Sequence, residues 1–221
     1  GILCTDKTGT LTENKMTVSQ ALWDKGEWKG EDLIETSRDN IQLRRIIEHG
    51  VLCSNARIEN GETYGDPLEL ALIHFAKSAG VDPVDLRSSF PEKLEVPFDP
   101  ETKMMATVHQ TRKGHLVCVK GAFENVIDKC IGAVSDEGVI PLNKAEWSKT
   151  VSGMASQGFR ILAFAYKETG PKIEVHEICD GLSFSGIIGF IDPARKDVPD
   201  VIKTYHKAGI RVVMVTGDHP G

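Results

Sequence analysis

The two ends of this chain share one sequence pattern, and that pattern limits the folds the 221 residues can adopt. Near the start the apolar run 2–5 leads into a polar turn, and near the end the apolar run 210–215 leads into another. Short apolar runs bounded by turn signals are typical of buried strands. A helical pattern at 195–207 lies between the runs 182–190 and 210–215. We therefore expect a strand–helix–strand unit here, which is the signature of a parallel sheet.

The middle of the chain has a different pattern, which predicts an antiparallel sheet with helices. Short alternating runs separated by turns indicate hairpins, and Asp66 followed by Pro67 is typical of a helix start. The expected strands are 16–23, 92–98, 103–110, 115–120 and 159–166, and the expected helices are 39–53, 66–79, 121–130 and 143–157. The sequence thus predicts an α+β domain, at about 18–180, inserted into a parallel α/β domain.

Composition and charge exclude several classes of protein. The longest stretch without Asp, Glu, Lys or Arg, 181–191, has 11 residues, whereas a membrane helix needs about 20 apolar residues. The net charge of −6, with scattered Lys and Arg, disfavours nucleic acid as a partner. Five cysteines without a CxxC pair indicate a reducing compartment rather than a disulfide or zinc framework.

The glycine pattern excludes the common nucleotide-binding loops. The 21 glycines include no Gly-Lys dipeptide and no Gly-x-Gly. The P-loop, the kinase glycine-rich loop and the Rossmann fingerprint are therefore absent. A nucleotide, if one binds, must be held by other means.

The turn after the first apolar run has the composition of a phosphoryl-binding site. Asp6 stands at the carboxyl end of the expected strand, where its carboxylate can face a ligand. Gly9 allows a sharp backbone turn, and Thr8 and Thr10 add hydroxyl donors. Such a turn suits a phosphoryl group held with a divalent cation, and carboxylate nucleophiles can form aspartyl-phosphates. Polar turns without chemistry have a similar composition, so the residues alone leave both interpretations open.

Residues 6–12, Asp-Lys-Thr-Gly-Thr-Leu-Thr, resemble the phosphorylation motif of P-type cation-transporting ATPases, nearest to the bacterial calcium- and sodium-type pumps. The resemblance covers the whole chain. It implies that Asp6 attacks the γ-phosphate of ATP with Lys7 beside it, and that the Asp6 carboxylate and the Thr8 carbonyl bind Mg²⁺. Thr8 replaces the second Asp of the related haloacid-dehalogenase (HAD) phosphatases, which would prolong the life of an aspartyl-phosphate.

Two later segments resemble further phosphate-site motifs of this family. The first is the TGD motif, Thr216, Gly217 and Asp218, whose Thr holds a phosphoryl oxygen; an Asp-capped helix start is the alternative. The second is Asp192-Pro193-Ala194-Arg195, where the family commonly has DPPR. It implies that Asp192 and Arg195 lie near the phosphate. A helix start with Pro193 in its first turn is the other interpretation.

The inserted segment resembles the nucleotide-binding (N) domain of the family. Lys120-Gly121-Ala122 matches its KGA motif, whose Lys lies at the adenine and phosphate entrance and whose Gly admits a planar base. Phe98 and Lys103 match Phe-(x)4-Lys-x-Met, in which the Phe stacks on adenine. Core packing is the alternative for Phe98, and an ordinary lysine at a strand end is the alternative for Lys120.

Two more residues match ATP contacts of the family. Glu69 aligns with a Glu that reaches the adenine amino group; a solvated helix carboxylate is the alternative. Arg160 aligns with an Arg that meets the phosphates; a charge on an edge strand is the alternative. Pro100 stands where many of these pumps have an Arg, so we do not expect the contact of that Arg from this position.

The resemblance implies a domain organisation and a parent protein. The expected fold class is α/β: an α+β N-domain with an antiparallel sheet flanked by helices, inserted in a truncated HAD-like parallel α/β phosphorylation (P) domain. The expected segments are P-domain 1–17, N-domain 18–180 and P-domain 181–221. We expect a piece of a pump at the cytoplasmic face of the cell membrane that binds ATP or ADP with little or no turnover. Its partners would be the remaining P-domain, the actuator domain and the membrane helices; a soluble HAD-superfamily phosphohydrolase is the alternative.

Overall fold

The computed structural model describes residues 1–30 and 32–215, so Thr216, Gly217 and Asp218 of the TGD match lie outside the described residues. The strands are β1 Ile2–Asp6, β2 Thr17–Trp23, β3 Gly26–Lys29, β4 Arg57–Glu59, β5 Glu62–Tyr64, β6 Glu92–Asp99, β7 Met104–Gln110, β8 His115–Gly121, β9 Cys130–Ser135, β10 Gly138–Ile140, β11 Arg160–Thr169, β12 Leu182–Ile191 and β13 Arg211–Val215. The helices are α1 Leu33–Asp39, α2 Ile41–Leu52, α3 Pro67–Ser78, α4 Pro83–Ser89, α5 Phe123–Asp128, α6 Lys144–Ser156 and α7 Val198–Lys207. None of these helices is both long and apolar enough to cross a membrane.

One large sheet organises most of the chain. Its order is β10-β9-β12-β11-β8-β7-β6, with β2 also paired to β12 and β3 paired to β2. Every pairing in this sheet is antiparallel except that of β9 with β12. The structure is therefore mixed α/β with a mostly antiparallel sheet, as the alternating runs in the middle of the sequence predict.

Strand β12, Leu182–Ile191, is a central strand of the large sheet. One edge of β12 pairs with β11, and its other edge pairs first with β9 and then with β2. Because both edges are occupied, β12 cannot be the parallel neighbour of β13, and the expected strand–helix–strand unit is wrong in this respect. β13 instead pairs in parallel with β1, from Ile2 opposite Arg211 to Asp6 opposite Val215.

Strand β1 is also less buried than an apolar run suggests. Its residues alternate between exposed and half-buried, and among the described residues β13 is its sole partner strand.

Helices cover both faces of the large sheet, each over its own apolar core. On one face α2 and α3 pack over side chains that include Phe164 and Phe190. On the other face α5 and α6 pack over Ala163 and Phe184. Successive strand residues point to opposite faces, so neighbouring Ala163 and Phe164 of β11 serve different cores.

Capping residues set the starts of several helices. The Asp66 carboxylate accepts the Leu68 N–H (2.8 Å) and Pro67 occupies the first turn of α3, which confirms the predicted start. The Asn143 side chain likewise accepts the Glu146 N–H (3.2 Å) at the start of α6. Such caps satisfy amide groups that have no partner within the helix.

Helix α7 begins later than its apolar pattern predicts. The Arg195 N–H donates to the Leu11 carbonyl (2.9 Å), and Ala194 forms a β-bridge with Thr12. Residues paired in this way cannot join a helix, so α7 starts at Val198. The segment 192–195 is thereby fastened to the loop that follows β1.

His49 of α2 is buried against Tyr166, with 4.7 Å between the ring centroids. Burial, together with the smaller effect of the nearby Arg45 charge, lowers the pKa of His49 from 6.5 to about 3. The unfolded chain therefore takes up a proton here as the pH falls below about 6.5, and the folded chain does not until about pH 3. Stability from this group is complete above pH 6.5 and is lost progressively as the pH falls toward 3.

We expect His49→Phe to reduce the loss of stability in mild acid. From pH 7 to pH 5 the parent chain should lose about 2 kcal/mol of unfolding free energy through His49 alone. Urea unfolding at both pH values measures this loss. The control is His176→Phe at an exposed histidine, which should retain it. Equal pH dependence in the parent and in His49→Phe would contradict the prediction.

Candidate functional site

A buried ion pair joins Lys120, near the end of β8, to Glu69, in the first turn of α3. The Lys120 Nζ donates to Glu69 Oε1, and the two side chains are only 7% and 12% exposed. Glu69 Oε2 accepts the N–H groups of Asn55 and Ala56, each at 3.0 Å. Glu69 is therefore not a solvated carboxylate, and each of its oxygens has a donor.

Sheet register and helix capping bring this pair together. Lys120 lies opposite Met105 of β7 and Phe164 of β11, so all three side chains lie on the sheet face that α2 covers. The Asp66 cap fixes the start of α3, which sets Glu69 over the loop that follows α2. A carboxylate in the first turn is also favoured by the helix dipole.

Lys103 and Gly121 meet at the open end of the β7–β8 hairpin. The Lys103 carbonyl accepts the Ala122 N–H (3.0 Å). A Cβ on Gly121 would lie 2.3 Å from the Lys103 carbonyl oxygen and 2.9 Å from the Met104 Cα, closer than real Cβ contacts allow. Glycine is therefore required at position 121 because the backbone at residues 103–104 comes so close to it. This requirement holds whether or not a base binds beside it.

Phe98 is exposed near the end of β6. Its side chain is 59% exposed, so core packing is the wrong interpretation. The turn that follows is built on Asp99, whose carboxylate accepts the Glu101 N–H and the Thr102 hydroxyl, both at 3.0 Å. These hydrogen bonds lower the pKa of Asp99. The turn also contains Lys103, so Phe98 and Lys103 lie at the two ends of the short segment 98–103.

Arg160 begins β11 and is exposed. β11 lies between β8 and β12, so Arg160 does not belong to an edge strand. By strand alternation it shares a face with Leu162 and Phe164, both packed in the α2–α3 core. Phe164 is opposite Lys120, and Arg160 precedes Phe164 by four residues on β11. Arg160 therefore lies about 13 Å along the strand direction from Lys120.

The motif loop, residues 7–12 after β1, is held together by hydrogen bonds to Thr12. The Thr12 N–H donates to the Lys7 carbonyl (3.1 Å), and Gly9 takes φ +77°, a conformation that favours glycine. The Thr12 hydroxyl is buried, accepts the Gly9 N–H (3.1 Å) and lies 2.6 Å from Asp192 Oδ2, to which it donates. Sequence reasoning did not single out Thr12, although it is the last residue of the motif.

Asp192 and Arg195 hold this loop in place. Asp192 Oδ1 accepts the Lys15 N–H (3.1 Å), and Arg195 Nη2 donates to the Gly9 carbonyl (3.1 Å). A helix start at Pro193 is the wrong interpretation, since α7 begins five residues later. The two residues therefore lie beside the motif loop, and a position near a bound phosphate stays a prediction.

The carboxylate of Asp6 is accessible at the end of β1. Asp6 is exposed, and its Oδ1 accepts the Lys7 N–H (2.7 Å). No cluster of three or more His, Cys, Asp or Glu side chains in residues 1–30 and 32–215 could enclose a metal ion. The Asp6 carboxylate and the Thr8 carbonyl both offer oxygen donors, the ligand type that suits Mg²⁺, which commonly keeps several waters and uses one or two carboxylates with substrate phosphates.

The two groups of candidate residues remain separate in this structure. Lys120, Glu69, Lys103 and Gly121 gather at one end of the β7–β8 hairpin, whereas Asp6 lies on the β1–β13 sheet. No hydrogen bond or ion pair links the two groups within the described part of the chain. An open cleft of about 1100 Å³ between the β2–β3 hairpin and α6 contains none of the predicted residues.

Most of the chain, including most of the large sheet, matches one known protein family. A model of the family described as P-type ATPase, cytoplasmic domain N, matches residues 42–197, and the chain belongs to that family. The matched segment runs past residue 180 and includes β12, in agreement with the pairing of that strand in the large sheet.

Individual relatives are similar along nearly the whole chain. Calcium-transporting ATPase 1 of Bacillus cereus is 34% identical over 223 residues, 99% of this chain and 25% of the relative. Cation-transporting ATPase pma1 of Synechocystis is 36% identical over 245 residues, 99% of this chain and 27% of the relative. Calcium-transporting ATPase lmo0841 of Listeria monocytogenes is 34% identical over 229 residues, 99% of this chain and 25% of the relative. The chain spans about a quarter of the length of these relatives.

Proposed function

We propose that this chain is the ATP-binding and phosphorylation segment of an ATP-driven cation-transporting pump. The observation that carries the proposal is the buried Lys120–Glu69 pair beside the turn that contains Lys103. The Lys120 ammonium has three N–H donors, and the bond to Glu69 Oε1 uses one of them, so the others can donate to an oxygen or ring nitrogen of a nucleotide. The names of the relatives, which describe calcium- and cation-transporting ATPases, support the same function, with calcium as the favoured ion.

ATP or ADP would bind at the end of the β7–β8 hairpin. The exposed ring of Phe98 is free to stack on the base, a contact worth about 1–3 kcal/mol for a nucleic-acid base. Lys120 and Lys103 supply positive charge, and Arg160 shares the Lys120 face at a distance suited to the phosphates. Glu69 orients Lys120 and reaches the base only if its own hydrogen bonds rearrange.

Asp6 would accept the γ-phosphoryl group of ATP: a carboxylate oxygen bonds to the γ-phosphorus while the bond from that phosphorus to ADP breaks, and ADP leaves. The exposed carboxylate of Asp6 is the nucleophile, Lys7 and Thr8 stand beside it, and Asp192 and Arg195 fix the loop. Mg²⁺, held by Asp6 and Thr8, would neutralise charge on the phosphates. Thr216, Gly217 and Asp218 are proposed to complete this site.

The proposed domain division follows the hydrogen bonding. An N-domain begins near residue 18 and extends through β12, and the terminal segments, including 1–17 and the part of 181–221 that follows β12, belong to a HAD-like P-domain. In the pump this piece would face the cytoplasm at the cell membrane. It would work with the rest of the P-domain, the actuator domain and the membrane helices, because ATP bound in one domain must reach Asp6 in another.

We expect Phe98→Ala to weaken ATP binding about tenfold or more, because the stacking surface is removed. Its stability should change by less than about 0.5 kcal/mol, since the ring is exposed. NMR titration of the 221-residue chain with ATP measures the affinity and maps the site. Ile131→Ala, at an exposed apolar residue on the distant strand β9, is the control. Shifts that map away from Phe98, Lys103 and Lys120 would exclude this pocket.

We expect the 221-residue chain to bind nucleotide with little or no turnover. The sequence contains no GDGxND motif, whose carboxylates complete the Mg²⁺ site in the family it resembles. Acid-quenched incubation with [γ-³²P]ATP and Mg²⁺ should give hydroxylamine-labile label no higher than that of Asp6→Asn. Strong label that Asp6→Asn removes would contradict the low turnover and identify Asp6 as the nucleophile.

A further inference from the structure

We infer that Arg87 of α4 is a positioning residue for the candidate nucleotide site, acting through the loop 53–56 that holds Glu69. Its effect on nucleotide affinity rests on the function proposed above, whereas its effect on the loop does not.

Arg87 binds three backbone carbonyls with one nitrogen. Its Nη2 donates to the carbonyls of Val51 (3.1 Å), Ser54 (2.7 Å) and Ala56 (3.0 Å). These groups lie at the end of α2 and in the loop that follows it. The last carbonyls of a helix lack partners within it and carry the negative end of its dipole. A guanidinium therefore both satisfies and fixes this stretch of backbone.

The same loop holds Glu69 from its other side. Ala56 donates its N–H to Glu69 Oε2 while its carbonyl accepts from Arg87, and the Asn55 N–H also binds Oε2. The chain of contacts then continues from Glu69 Oε1 to Lys120. Each of these contacts involves a charged side chain, and such hydrogen bonds are about twice as strong as neutral ones.

The loop is also hydrogen-bonded to the strand that carries Phe98. Asn55 Nδ2 donates to Glu95 Oε1 of β6 (2.9 Å), three residues before Phe98. One short loop thus connects α2, α3, α4 and β6, and through Glu69 also β8. A side chain that fixes this loop pre-orients the ammonium group of Lys120, and pre-orientation raises affinity by lowering the cost of ordering on binding.

The variants that test this role are Arg87→Gln and Arg87→Lys. Glutamine is neutral and reaches fewer of the three carbonyls, so the backbone amide NMR signals of Asn55 and Ala56 should move and ATP affinity should fall about tenfold. Lysine keeps the charge on a shorter stem and should give smaller amide shifts and an affinity loss of about threefold. The control is Arg44→Gln on the surface of α2, whose partner is Glu48; it should leave both amides and the affinity unchanged.

Three measurements on the 221-residue chain separate the outcomes: amide spectra, ATP titration, and urea unfolding to verify that each variant is folded. If Arg87→Gln fails to fold, Arg87→Lys decides the question. Unmoved Asn55 and Ala56 amides in a folded Arg87 variant would overturn the proposal. Moved amides with an affinity within twofold of the parent would also overturn it, since a purely structural arginine would behave in this way. If the parent itself binds no ATP, the proposed function fails, and the amide shifts still decide whether Arg87 fixes the loop.

Discussion

Replacing Lys120 with methionine is expected to lower the free energy of unfolding by about 3 kcal/mol. The change leaves the Glu69 carboxylate almost buried, with the two neutral amides of Asn55 and Ala56 as its remaining donors. Losing one partner of a buried pair is costly because the other charge then lacks compensation. Urea unfolding, followed by tryptophan fluorescence, measures the change.

The double variant Lys120→Met/Glu69→Gln separates stability from binding. With both charges removed, most of the lost stability should return, because replacement of a whole buried pair is often close to neutral. Nucleotide affinity should not return, since the double variant still lacks the ammonium group. A loss below about 1 kcal/mol in Lys120→Met would contradict the burial of the pair. Parent-like ATP affinity in the double variant would contradict the role of Lys120.

Phe184→Ala is expected to cost about 4 kcal/mol of stability. Phe184 lies on β12 with its side chain 1% exposed, and its ring is 4.9 Å from that of Trp147 and 6.2 Å from that of Phe123, centroid to centroid. Truncation removes contacts to α5 and α6 together and leaves a cavity that a packed core fills poorly. Urea unfolding again provides the measurement.

Two matched substitutions show whether this loss reflects volume and burial. Phe184→Leu keeps most of the volume and should cost less than about 2 kcal/mol. Phe98→Ala removes the same atoms from an exposed site and should cost almost nothing. A small effect of Phe184→Ala, equal to that of Phe98→Ala, would mean that β12 does not belong to the cooperative core of the large sheet.

Local patterns predicted the elements whose signals lie within a few residues. Asp66 and Pro67 mark the start of α3 because capping uses neighbouring amides, and alternation gives β7 and β8 to within a residue. The turn in the motif loop could be predicted equally well, since Gly9 supplies the positive φ that the turn needs. Short elements such as α1, α4 and the β4–β5 hairpin were missed, because a helix of seven residues or a strand of three carries little periodicity.

Long-range partners could not be predicted in the same way. The apolar run of β12 fits a parallel strand or a central antiparallel strand equally well, and the partners that decide lie far away in the sequence. The roles of Arg87 and of the amides of Asn55 and Ala56 left no pattern, because a contact to backbone atoms does not depend on the residue types that supply them. Sequence indicated which residues match the nucleotide site, and the fold shows which others support them.

The central place of β12 has a consequence for the order in which this protein can fold during synthesis. Strand β2 leaves the ribosome roughly 160 residues before β12, its partner in the large sheet. At about 5–20 residues per second, the edge of β2 that β12 will cover waits about 10–30 s for that partner. Until then β9 and β11 also lack the strand that lies between them, so the sheet closes late. Nascent chains that stop before residue 182 therefore expose unpaired strand edges, which are the surfaces that chaperones and aggregation both recognise.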